Sequence, residues 1–189
     1  MSIHPAFRML PPAQDHLVAV RRAERLRELG ISGDEPVPEF DAFARHIGET
    51  LAAAFAMVNI IGPSEQYFAG LYPSSADRGV DWKADEFRSM ACDHGYCMHV
   101  LDRGQALALP EIAAIARYAV NPVVDEIGIH AYLGAPLTDH DGTILGTICV
   151  VDTEAHPGWD ASALEWIKAQ ARELSSRIQR RAIGGRPGS

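Results

Sequence analysis

The sequence predicts an α+β fold, a central antiparallel sheet with helices on one of its faces and at both ends of the chain. Two observations carry this. Apolar, β-branched runs face each other across short turn-forming segments, so consecutive strands return on each other as hairpins. Segments with a helical repeat of apolar residues precede the first strand pair and follow the last.

Residues 1–14 carry Pro5, Pro11 and Pro12 and read as an irregular lead-in. From Gln14 to Leu29, Leu17, Val20, Ala23, Leu26 and Leu29 recur at every third residue with arginines between them, a helical pattern. Gly30 suits its C-cap, since glycine enters the left-handed conformation without steric penalty. The stretch 32–38 is loop chemistry. Phe40, Phe43, Ile47, Leu51 and Ala54 mark a second helix over 39–54. Strands follow at 55–61 and 66–72, joined through Gly62-Pro63.

Residues 73–86 are polar and read as a surface loop. A short helix is expected from His94 to Leu101, ending near Arg103-Gly104. Gln105–Leu109 is then a strand stopped by Pro110, and 111–128 holds short helical turns around Asn121-Pro122. A second hairpin pairs 131–138 with 143–151 across Asp139-His-Asp-Gly142. Asp160 or Ser162 caps a long helix through Ala182, along which Leu164, Ile167, Ala171, Leu174 and Ile178 form a seam. The expected organisation is a lead-in (1–14), one domain (15–182) and a flexible tail (183–189), with no internal repeat.

Of 189 residues, 47% are hydrophobic and 22% charged, the balance of a soluble globular protein. Lys and Arg total 17 against 25 acids, a net charge of −8 that argues against direct nucleic-acid binding. No apolar run approaches the roughly 20 residues that span a bilayer, and the N-terminus has no secretory h-region. Cys92, Cys97 and Cys149 are an odd count and a poor disulfide framework, so a reducing, cytoplasmic setting is expected.

Cys92, His94, Cys97 and His99 form C-x-H-x2-C-x-H, a tempting donor set. Zinc sites usually draw on two separated clusters, and on one helix His94 and Cys97 share a face that His99 does not. No metal is assigned. Cys149, within an apolar strand, reads as a small buried hydrophobe.

At Tyr132-Leu-Gly-Ala-Pro-Leu137, then Asp141-Gly142 and Leu145-Gly-Thr-Ile-Cys-Val-Val-Asp152, the sequence resembles a GAF domain. The resemblance extends to Phe40-Asp41, Tyr96-Cys-Met-His-Val-Leu101, Gly104 and Asn121-Pro122, and covers roughly 25–180. Gly134 and Gly146 would allow close backbone approach in the sheet, and Pro136 suits an edge or bulge. The resemblance implies a pocket between one sheet face and the loops that cover it. It places Cys97, His99, the segment 109–124, Tyr132 and the strand near Thr147 around that pocket. Ligand-binding candidates are Cys97, His99, Glu111, Tyr118, Asn121, His130, Tyr132 and Thr147, a few polar groups in a mostly apolar site.

The resemblance implies a sensory or regulatory domain for a small molecule that the sequence does not identify; the cofactor is likewise unassigned. Residues 121–131 hold His130 but no cysteine, which argues against covalent bilin. His99 or His130 could ligate haem, but nothing singles them out, and the family's cyclic-nucleotide signature is not recognisable.

An alternative is a thiol enzyme. Gly95-Tyr-Cys97 resembles the G-x-C stretch of free methionine-(R)-sulfoxide reductases, whose chemistry needs an attacking thiolate and a resolving thiol. Cys97 would attack, with Cys92 or Cys149 resolving. Against this, the loop 111–122 lacks that family's catalytic cysteine, and Glu111 is the only acid there before Asp125. A third reading is a ligand-free dimerisation module. The seam 164–178, with the N-terminal helix, would join two copies as a homodimeric bundle. Ligand binding would then shift the helix packing and signal to a separate partner protein, unless the chain is part of a larger one.

Overall fold

A computed structural model describes residues 15–73 and 87–184. Helix α1 (His16–Glu28) and α2 (Pro38–Thr50) lead into the hairpin β1 (Phe55–Ile61) and β2 (Glu65–Pro73). Then come β3 (Ser89–Ala91), α3 (Cys97–Arg103), β4 (Leu107–Leu109), a 3-10 turn (Ile112–Ala114), α4 (Ala116–Ala119) and α5 (Pro122–Glu126). The second hairpin, β5 (Ala131–Thr138) and β6 (Ile144–Asp152), precedes α6 (Ala161–Gly184). The six strands form one sheet in the order β3-β2-β1-β6-β5-β4, with every neighbouring pair antiparallel. The lead-in 1–14, residues 74–86 of the expected loop and 185–189 of the expected tail lie outside the described residues.

Alternation along the strands divides the core in two. Ala56, Val58, Ile60, Leu133, Ala135, Leu137, Ile148 and Val150 face Phe40, Phe43 and Ile47 of α2 and Ile167, Ala171, Leu174 and Ile178 of α6. Met57, Ile61, Phe68, Tyr132 and Cys149 face the opposite way, toward α3, α4 and α5. The seam on α6 therefore packs against the chain's own sheet, and the outward face of that helix carries ion pairs such as Lys168–Glu165 and Arg177–Glu173. Asp160 caps α6, accepting from the N–H groups of Ser162 at 2.8 Å and Ala163 at 3.2 Å.

Several boundaries differ from the expectation for identifiable reasons. Helix α2 stops at Thr50 rather than 54, because Ala52 turns left-handed at φ 50° and the Ala53 N–H returns to the Gly48 carbonyl at 2.9 Å. The short helix starts at Cys97 rather than His94, after a turn that Gly95 makes at φ 77°. The fourth strand begins at Leu107 rather than Gln105, and the tail expected from 183 starts no earlier than the end of α6 at Gly184. Strand β3, three residues pairing with 65–67, is too short to show any periodicity.

The apolar repeat of α1 marks its buried side at Leu26 and Leu29 but not in its first half. Ala19, Arg22 and Leu26 are buried, whereas Leu17 is 77% exposed and Val20 41% exposed. Polar ties dock this helix: Arg22 Nε donates to the Ile144 carbonyl at 2.7 Å, and Arg25 bonds the buried Asp139 carboxylate. Close backbone approach is found at Gly146, whereas at Gly134 the space is taken by the Tyr132 ring. A side chain on Gly146 would strike the Asn59 backbone carbonyl of the neighbouring strand. Pro136 lies past the end of β4, which pairs only with 132–134, where its missing N–H costs no ladder bond on that side.

Candidate functional site

On the face away from α2 and α6, strand register sets side chains in rows. Phe55, Val151, Tyr132 and Leu109 form one row; Leu71, Met57, Cys149 and Gly134 form the next; Phe68, Asn59, Thr147 and Pro136 the third. Over these rows lie Met90, Gly95, Tyr96 and Cys97, from β3 to the start of α3, with Val123, Ile127 and Ile129 from α5 and the turn after it. Between sheet and cover is a cavity of about 220 Å³. Its walls are mainly aromatic and aliphatic, interrupted by Gln66, Ser89, Cys97, Tyr132 and Cys149, and no charged side chain lines it among the described residues.

Two amides, the buried Gln66 and the half-buried Asn121, hold the cover down. Gln66 Nε2 donates to the carbonyls of Ala91 at 2.9 Å and His94 at 2.8 Å, while its Oε1 accepts from Asn59 Nδ2 at 2.8 Å. Asn121 grips the same turn from the other side. Its Oδ1 accepts from the Gly95 N–H at 3.0 Å, and its Nδ2 donates to the Gly95 carbonyl at 2.8 Å. The Asn121 oxygen also caps α5 through the Val123 N–H. These bonds fix where Tyr96 and Cys97 enter the cavity.

At the cavity floor, Cys97 Sγ lies 3.6 Å from Cys149 Sγ and 3.5 Å from Tyr132 Oη. Tyr132 reaches this point by folding its ring over Gly134, where a Cβ would sit 2.7 Å from Tyr132 Cζ and 3.0 Å from Cys149 Cβ. The hydrogen bond between the two thiols lowers Cys97 below the usual thiol range and raises Cys149 above it. Burial pushes both thiols up; Thr147, Tyr132 and Asn59 add to the lowering at Cys97. Burial also pushes the Tyr132 phenol well up, so it stands as a neutral donor. Thr147 Oγ1 and Asn59 Oδ1 are buried there without a hydrogen-bond partner.

Of the residues expected at a ligand site, Cys97 and Tyr132 line the cavity, together with Cys149. Thr147 is buried beside Cys97. Asn121 braces the cover. Tyr118 and His99 pack edge-on with centroids 5.4 Å apart, behind Tyr96, whose hydroxyl donates to the Tyr118 carbonyl at 2.9 Å. Burial and the nearby Arg117 charge lower the His99 imidazole. Glu111 and His130 are exposed and outside the lining. His94 turns outward to Asp93 at 2.6 Å and Glu126 at 3.1 Å. No group of three His, Cys, Asp or Glu side chains is gathered for a metal among the described residues.

Asn59 and Gln66 are not among the residues singled out from the sequence. A fully buried amide within the run Met57–Ile61 is a usable signal, because a polar side chain inside a strand buried on both faces needs a built-in partner.

A family model for the GAF domain matches residues 36–178. No curated protein matches the sequence. Among solved structures, the GAF domain of an Acinetobacter phosphoenolpyruvate-protein phosphotransferase superposes with a TM-score of 0.59 at 12% identity, over 92% of this chain and 100% of that one. A red/green cyanobacteriochrome in its red light-absorbing state gives 0.63 at 12% identity, covering 79% of this chain and 97% of that one. A free methionine-R-sulfoxide reductase from Neisseria meningitidis, in complex with its substrate, gives 0.60 at 12% identity, over 94% and 99%. These likenesses are of fold.

Proposed function

The chain belongs to the GAF domain family of small-molecule-binding sensory domains, and from that premise we propose that its cavity takes an uncharged, largely apolar small molecule as a signal. One observation carries this reading: a cavity of about 220 Å³ whose described walls bear no charge. That volume is below the roughly 300–1,000 Å³ of sites for drug-sized ligands. Tyr132, with the thiols of Cys97 and Cys149, would supply its few polar contacts. Asn121, Tyr118 and His99 would act on the ligand through the cover they brace, and Glu111 and His130 from outside the lining.

The same walls weigh against the other candidate ligands. A free amino-acid sulfoxide carries an ammonium and a carboxylate, and burying either without a partner is costly. A tetrapyrrole exceeds the cavity and brings propionates for which no cation lines it among the described residues. The residues present do not fit that cofactor. Sensing is therefore favoured over sulfoxide reduction.

Output would pass through the terminal helices to a partner protein in a cytoplasmic setting. With the α6 seam used internally, the exposed Leu17, Val18 and Val20 of α1 are the apolar surface that a second copy would cover.

The test is thermal unfolding with matched probes, p-cresol against p-hydroxybenzoate. A ligand at a hundred times its Kd stabilises by about 2.7 kcal/mol. The neutral probe should raise Tm and the anion should not, and Val151→Trp, or the milder Val151→Phe, should remove the effect by filling the cavity. Equal stabilisation by both probes, or binding unaffected by either substitution, would sink the reading.

A further inference from the structure

We propose that Cys97 and Cys149 are a redox pair in the cavity wall, oxidised by a small hydroperoxide to a disulfide that ties α3 to β6. The proposal does not depend on which signal the cavity takes.

The geometry is particular. The residues are 52 positions apart in sequence, yet their sulfurs lie in van der Waals contact at 3.6 Å. Both cysteines line the cavity, which gives a small oxidant entering it a route to the pair. Closure to the bonded S–S distance of about 2.05 Å requires the start of α3 to settle toward the sheet. That start follows the 91–96 turn and carries no strand ladder to break. Tyr132 Oη at 3.5 Å and the Thr147 hydroxyl beside Cys97 are hydroxyl groups available to an oxygen placed on Cys97.

The two thiols have distinct roles. The bond between them favours the thiolate at Cys97 and leaves the proton on Cys149. Cys97 thiolate attacks one oxygen of the hydroperoxide; the S–O bond forms, the O–O bond breaks, and the departing alkoxide takes up a proton as alcohol. Cys149 then attacks the sulfenic sulfur; the S–S bond forms, the S–O bond breaks, and hydroxide leaves with the Cys149 proton as water. Two thiols lose two electrons, and the hydroperoxide becomes alcohol and water. A dithiol reductant reverses the change.

The experiment treats the intact chain with hydrogen peroxide, alkylates it under denaturing conditions and maps the peptides by mass. The expected product is a chain two hydrogens lighter, linked between the Cys97 and Cys149 peptides, with Cys92 alone alkylated and full reversal by dithiothreitol. Cys92→Ser should form the same link. Cys149→Ser should halt at a Cys97 sulfenic acid captured by dimedone, and Cys97→Ser should slow oxidation of Cys149 at least about tenfold. A link through Cys92, an intermolecular link, or no oxidation at peroxide levels that fully oxidise the urea-unfolded chain would overturn the proposal. No ligand enters this assay, so its failure leaves the binding test standing, and the converse also holds.

Discussion

Tyr132 stands at the cavity floor because the residue two positions along its strand has no side chain. Glycine inside a strand normally costs stability, and replacing it with alanine returns about 0.5–1 kcal/mol where the space is free. At Gly134 the added methyl would sit 2.7 Å from Tyr132 Cζ and 3.0 Å from Cys149 Cβ, closer than a core tolerates. The clash decides the sign. Gly134→Ala should destabilise by about 1–3 kcal/mol in urea unfolding, and should slow cross-linking of the cysteine pair by displacing the phenol. An unchanged midpoint would show that the ring has another rotamer to occupy. Cys149 illustrates what one residue's context adds. Along the strand it alternates like any small apolar side chain, and only the approach of Cys97 from another element gives it a chemical partner.

At the scale of elements, polar ties do what the apolar stripes do not. Periodicity marked the α6 seam correctly but could not say what covers it, since an apolar stripe packs equally well on a sheet or on a second helix. The chain's own sheet is the answer. On α1 the stripe holds at Leu26 and Leu29 only; in the first half Arg22 is buried against backbone carbonyls while Leu17 and Val20 face outward. The turn before α3 is held to α5 by His94, between Asp93 and Glu126. The hydrogen bond that His94 donates to the Asp93 carboxylate, then the Asp93 charge and the bond donated to Glu126, outweigh burial and raise the imidazole above its ordinary value. A raised histidine contributes stability that is complete below its unfolded value and is lost as pH rises through the folded one. His94→Gln should therefore lower stability at about pH 5.5 and change little at about pH 8.5, read from urea midpoints at the two pH values. A loss equal at both would assign His94 a packing role.

At the scale of the molecule, a sheet covered on both faces separates two tasks. The side under α2 and α6 carries the larger apolar core, and the other holds the uncharged cavity under short, turn-rich segments. A ligand in the proposed site would act on the second side, where little regular structure has to break. Assembly is tested at this scale too. If α1 pairs two copies, sedimentation should give a dimer that Leu17→Glu with Val20→Glu converts to a monomer without altering the melting of the core. A wild-type monomer would remove α1 as the assembly surface.

The α+β class, both hairpins, the order of the long helices and the family resemblance are legible in the sequence alone, because periodicity, turn residues and caps are local and leave a local signature. The sequence also points to Cys97 and Tyr132. Three things were decided only in the folded chain: the contact between Cys97 and Cys149, the buried amide pair Asn59 and Gln66, and the internal use of the α6 seam. Each depends on strand register or on which faces meet. Those are relations between residues distant in sequence, and no local pattern encodes them.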